Sequence, residues 1–128
     1  MYENGYGVTK DDKKAVEWYT KSAEQGYAPG QCSLGVMYDN GDGVTKDYKK
    51  AIEWYTKSAE QGYADGQCSL GYMYQNGDGV TQDYKKAVEW YTKSAEQGDA
   101  DGQCNLGYMY QYGQGVTKDN KKAIEWYT

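Results

Sequence analysis

The chain has no histidine and no phenylalanine in 128 residues, no arginine, a single proline and only three cysteines. Without histidine, a general base would have to be a carboxylate, a lysine or a tyrosine. No Ser-x-x-Lys occurs, so the acyl-enzyme motif built on that spacing has no nucleophile here. No apolar run approaches the ~20 residues of a membrane helix. A net charge of −5 argues against a nucleic acid partner, which wants clustered positive charge. Leu, Ile and Val together number 12 (3 + 2 + 7), a poverty that with net charge would suggest disorder. Against this stand 16 Tyr, 4 Trp and 10 Ala. Each aromatic can bury roughly 150–250 Å², so regular placement decides between disorder and an unusual core.

Placement is regular. Trp18, Trp54, Trp90 and Trp126 step by 36, as do Cys32, Cys68 and Cys104, and Gly7, Gly43, Gly79 and Gly115. Of the 36 phases, 26 hold one residue at every occurrence. Repetition at 20–50 residues marks a solenoid or a propeller.

The unit is helical. In DYKKAIEWYTKSAEQG, at 100° per residue, Tyr48, Ala51, Ile52, Tyr55, Ser58 and Ala59 share one face. Lys49, Lys50, Glu53, Thr56, Lys57 and Glu60 share the other. Asp47 suits the N-cap, Gly62 the C′ position, and Glu53 and Lys57 form an i,i+4 pair. This is helix B. The preceding PGQCSLGVMYDNG gives a shorter helix A with Gln31, Leu34, Gly35 and Tyr38 on one side. Gly30 and Gly35 each cost about 1 kcal/mol in a helix interior. Gly35 is expected where removing a Cβ lets another backbone approach.

The joining stretch, YDNGDGVTKD, admits three readings. A hairpin fails because its flanks have helical periodicity. A calcium loop fails because its third and fifth positions from Asp39 are Gly41 and Gly43. A phosphate cradle fails because no strand precedes the glycines. It reads as punctuation that turns helix A into an antiparallel helix B.

LGVMYDNGDGVTKDYKKAIEWYTKSAEQGYADGQ resembles the Sel-one-like repeat family, relatives of the tetratricopeptide repeat. Leu34, Gly35, Tyr38, Gly41, Gly43, Val44, Asp47, Lys50, Ala51, Trp54, Tyr55, Lys57, Ala59, Gln61 and Gly62 carry the match. A tetratricopeptide array proper would step by 34. The chain departs where Gly30, Gly66 and Gly102 replace the family's alanine, expected to loosen helix A, and where Ser22, Ser58 and Ser94 replace another. The resemblance implies an all-α fold, a right-handed α/α superhelix of antiparallel helix pairs that scaffolds protein complexes, with helix A on the concave side. Hydrolase-like or penicillin-binding activity, as in some bacterial relatives, and a purely structural spacer are the alternatives.

Some bacterial members bridge the two helices of a repeat with paired cysteines; here each repeat has one. Equivalent positions in stacked repeats lie roughly 9–10 Å apart or more, beyond the ~7 Å a disulfide needs. Free thiols and a reducing, cytoplasmic compartment are expected. Zinc is not, since Cys-x-x-Cys spacing and histidine are both missing. No cofactor or metal is expected.

Where the repeats differ carries the sharpest functional signal. On helix A the varying phases read Pro29, Ser33, Val36, Asp39, Asn40, then Asp65, Ser69, Tyr72, Gln75, Asn76, then Asp101, Asn105, Tyr108, Gln111, Tyr112. Four of the five phases fall within about 60° of helix face, opposite Leu34 and Tyr38. Exposed aromatics favour binding. The expectation is a stripe that takes a protein or peptide partner, extended and carrying basic or apolar side chains, flanked by Asp65 and Asp101. Boundaries follow as one array over 1–128: a partial repeat 1–26, full repeats 27–62 and 63–98, and a truncated repeat 99–128. Met1-Tyr2 holds the phase of Met37-Tyr38 and Thr128 that of Thr20, so a longer array is expected, in which polar capping repeats would close the ends.

Overall fold

A computed structural model describes residues 11–127; the expectations on Met1, Tyr2, Gly7 and Thr128 lie outside it. Among the described residues there are seven helices and no strand: α1 (Asp12–Glu24), α2 (Ala28–Asn40), α3 (Tyr48–Glu60), α4 (Ala64–Asn76), α5 (Tyr84–Glu96), α6 (Ala100–Tyr112) and α7 (Asn120–Tyr127). The odd-numbered helices are B and the even-numbered are A. Each A helix packs against the B helices on both sides of it in sequence, and α4 also touches α2 and α6. The fold is an all-α superhelix.

Helix B starts where the sequence says. Asp47 Oδ1 accepts from the Lys50 amide at 3.1 Å, and Asp11, Asp83 and Asp119 repeat that cap. Lys57 takes a contact that the Glu53 spacing did not suggest. Its ammonium lies 5.3 Å from the centre of the Trp54 ring, and Lys93 and Trp90 repeat this. Helix A is enclosed more than a one-sided stripe predicts. Gly30, Gln31, Cys32, Leu34, Gly35 and Met37 are all buried, because B helices cover it from two sides.

With so few aliphatics, the core is built from Ala51, Tyr55, Ala59, Leu70 and Met73, and again from Ala87, Tyr91, Ala95, Leu106 and Met109. Gly35 serves a ring first and a backbone second. A Cβ there would stand 2.7 Å from Tyr55 Cδ1 and 3.3 Å from the Ala51 carbonyl oxygen. Tyr91 fills the same place under Gly71.

The two departures from the family pattern are a single exchange. A Cβ on Gly66 would stand 2.5 Å from Ser58 Oγ, and one on Gly102 would stand 2.5 Å from Ser94 Oγ; Gly30 and Ser22 form the third pair. The missing methyl makes room for the added hydroxyl. The glycine that propensity expects to loosen helix A also lets it lie close against the preceding helix B. Ser58 also donates to the Ala28 carbonyl at 2.9 Å.

The loop between A and B is punctuation, with a second duty. Gly41 takes φ 74° at the end of α2, and the Asp47 amide returns to the Tyr38 carbonyl at 2.9 Å. Gly43, also at φ 74°, lies where a Cβ would strike the Asp12 carbonyl, 2.5 Å away. The second glycine thus docks each loop on the helix B of the repeat before.

Candidate functional site

The outward face of the A helices holds a trough of about 280 Å³ lined by Asp39, Cys68, Ser69, Tyr72, Asp101, Cys104 and Asn105. A second hollow of about 270 Å³ adjoins it, sharing Tyr72, Cys104 and Asn105 and adding Gln75, Tyr108 and Tyr127. Ser69, Tyr72, Gln75, Asn105 and Tyr108 of the expected stripe, with Asp39 and Asp101, are thus brought together. Asp65 and Asn76 are exposed nearby on α4, Val36 and Asn40 are exposed on α2, and Gln111 and Tyr112 lie on α6 outside both hollows.

Several of these residues already have structural work. The Tyr55 hydroxyl donates to Asp39 Oδ2 at 3.1 Å; Tyr91 and Tyr127 donate to Gln75 and Gln111, each at 2.6 Å. Among the described residues that phase is Asp or Gln and in each case supplies an acceptor for a phenol, buried in Tyr55 and Tyr91 and exposed in Tyr127. The phase of Ser69 and Asn105 varies within polar groups that favour the thiolate beneath them: Ser69 lowers the pKa of Cys32, and Asn105 Nδ2 donates to Cys68 Sγ at 3.3 Å. Asp65 and Asp101 stand in the first turn of α4 and α6, where a carboxylate suits the helix dipole, and Pro29 sits at the equivalent start of α2. Only two phases have no such duty, those of Val36, Tyr72, Tyr108 and of Asn40, Asn76, Tyr112. They are the ones that gain aromatics.

Tyr72 is the informative member. With A helices in contact on both flanks, it remains 53 % exposed. The Tyr108 and Tyr112 rings stack at 4.6 Å between centroids, tilted by 49°. A solvent-facing phenol on a packed helix is the kind of exposed aromatic that binding surfaces use.

The thiols on the floor were missed as lining residues because their phase never varies. All three are free. Burial pushes Cys32 up to about 11, with Asp65 adding to it, and Cys68 up to about 12, with Asp99 adding to it. Both stay protonated and unreactive at neutral pH. Tyr55 and Tyr91 are raised well above the ordinary phenol range, by burial first. None of these groups is poised for proton transfer.

Among the described residues no helix is long and apolar enough to cross a membrane. No curated protein sequence matches the chain. Among solved structures, a protective antigen of uropathogenic Escherichia coli with an SLR fold superposes with TM-score 0.89 at 45% identity, over 94% of this chain and 26% of that one. A Sel1 repeat protein from Oxalobacter formigenes gives 0.89 at 42%, over 99% of this chain and 52% of that one. Helicobacter pylori cysteine rich protein B gives 0.70 at 33%, over 91% and 84%. The chain thus spans about a quarter and about half the length of the first two. The Sel1 repeat model matches at residues 1–27, 28–63, 64–99 and 100–128, so that with the 36-residue helix pairs already in place this chain belongs to the Sel1 repeat family.

Proposed function

We propose that the chain is a protein-interaction scaffold that binds an extended protein segment along the outward face of its A helices. Sel1 repeat proteins are generally non-catalytic scaffolds that bind proteins. The A-helix placement of the site is our own reading. One observation carries it: Tyr72 stays exposed inside a packed array, at one of the two phases of this face whose divergence has no structural duty. Contact between successive A helices supports reading this as the inner side of the superhelix, since the surface where equivalent elements crowd is the concave one.

Selecting displayed random peptides on the intact chain and measuring the affinity of those retained tests the proposal. Replacing Tyr72, Tyr108 and Tyr112 together by alanine should keep the helical circular dichroism and cost ~2 kcal/mol or more, about 30-fold in Kd. Replacing Lys49, Glu53 and Lys85 on the B surface should leave affinity nearly unchanged. The opposite pattern would move the site to the B helices.

A further inference from the structure

The trough has one sign of charge. Each A helix carries one carboxylate and no lysine, Asp39 near the C-terminal end of α2 and Asp65 and Asp101 in the first turns of α4 and α6, whereas the lysines belong to the B helices and the loops. Asp39 and Asp101 line the hollow on either side of Tyr72, and no cation lines either hollow. The loop cation that feels Asp39, Lys46, is fully exposed and stands over the Tyr48 ring at 4.7 Å. An aromatic face between carboxylates is the chemistry that takes an alkylammonium or guanidinium: the ring's negative face attracts the cation and its flat surface packs the aliphatic stem.

The repeat also sets a spacing. Packed helices lie roughly 8–10 Å apart. An extended segment crossing the A helices meets the next repeat after that distance. A polyproline-II segment advances about 9 Å per turn of three residues and returns the same side to the surface. A β-conformation repeats its side every two residues, about 7 Å, and falls out of step.

We propose that the occupant of this trough is a basic segment in polyproline-II conformation, with lysine or arginine at every third position, its cations meeting the carboxylates that α2 and α6 present on either side of Tyr72. This rests on the scaffold reading above and adds the occupant's charge and register. Acidic segments are repelled by the same carboxylates, and uncharged ones gain nothing from them.

The test uses labelled peptides of three or four Lys-Pro-Pro units, with Glu-Pro-Pro, Ala-Pro-Pro and alternating Lys-Pro peptides of equal length, titrated against the whole chain. Asp39→Gln is a safe variant, because Gln75 at the same phase accepts the hydrogen bond of the buried Tyr91 phenol. It is combined with Asp65→Asn and Asp101→Asn. The Lys-Pro-Pro peptide should bind, and at least about tenfold more weakly to the triple Asp variant, to Tyr72→Ala, or in high salt. Equal binding of Ala-Pro-Pro, lost in Tyr72→Ala but kept in the Asp variant, would overturn the charge and leave the scaffold reading standing. Equal binding of the alternating Lys-Pro peptide would overturn the register, and with it the proposal. Lys-Pro-Pro binding indifferent to every variant would sink both readings. No saturable binding of any peptide would overturn the occupant proposed here.

Discussion

The two faces of an A helix obey different rules. On the face turned to the B helices, Gly66 and Gly71 recur in every repeat, and a Cβ at either would stand within 3 Å of a neighbouring side chain. On the opposite face, the phases of Tyr72 and Tyr112 make no core contact and are not held constant, Val36 standing against Tyr72 and Tyr108, and Asn40 and Asn76 against Tyr112. Between these lie positions that change only within one chemistry, such as Asp39 and Gln75, both acceptors for a buried phenol. Identity follows steric contact, restricted variation follows hydrogen bonding, and free variation marks solvent or a partner.

The largest blow to this contrast is a side chain forced into the packed face. Gly71→Leu puts a Cβ 2.8 Å from Tyr91 Cδ1 and 3.2 Å from the Ala87 carbonyl oxygen, with three carbons still to place. Overpacking costs ~1–3 kcal/mol or more, against about 1 kcal/mol recovered from helix propensity. A clear drop in melting temperature is expected, while Tyr72→Ala on the other face should leave it nearly unchanged. A Gly71→Leu protein melting at or above wild type would show that no tight crossing exists.

Smaller, and more discriminating, is the serine–glycine exchange. Gly66→Ala alone should destabilise by about 1 kcal/mol net, because Ser58 is buried and held to the Ala28 carbonyl. With Ser58→Ala also present, Gly66→Ala should become neutral or stabilising. A coupling of ~0.5–3 kcal/mol in the double-mutant cycle is the expected reading; additive effects would mean that the two departures are unrelated.

The pairing shows where sequence reasoning reached its limit. Asp47, Gly41 and the buried face of helix B were legible, because caps, turns and amphipathic periods are local features. Gly35 was legible as a crossing, but not the Tyr55 ring that fills it. Gly66 and Ser58 could be seen only as two separate anomalies, since their joint meaning is a distance between helices. The stripe was legible as variation, yet Asp39 and Gln75 look free until Tyr55 and Tyr91 are seen to donate to them. Cys68 and Cys104 were invisible as lining residues because a comparison of repeats cannot find what does not differ.

Alkaline pH should bear on the buried acids, the Cys68 thiol beside the trough among them. Cys32 and Cys68 are raised from 9.0 to about 11 and about 12, and Tyr55 and Tyr91 are raised well beyond 10.0. A raised acid favours the protonated folded state, so this contribution is whole below pH 9 and is lost as pH climbs through about 11 to 12. Melting temperature followed from pH 8 upward should fall across that window, less steeply in a Cys32→Ala, Cys68→Ala protein. A curve identical in both would mean that the thiols are not buried in solution.

The smallest effect in energy separates the three thiols by rate. Cys104 is exposed, Cys68 is half-covered with Asn105 bonded to its sulfur, and Cys32 is buried beneath Ser69. Reaction with a thiol reagent requires access and thiolate, and burial removes both at Cys32 and Cys68. One equivalent should therefore react quickly in the native chain and two slowly, with all three reacting once the chain is unfolded without reductant. Asn105→Ala should uncover the Cys68 sulfur at little cost in stability but also remove the hydrogen bond that lowers its pKa, so Cys68 should gain access without joining the fast class. If unfolded, non-reduced protein of monomeric mass gave a single equivalent, two thiols would be joined, and the 36-residue spacing would no longer hold them apart.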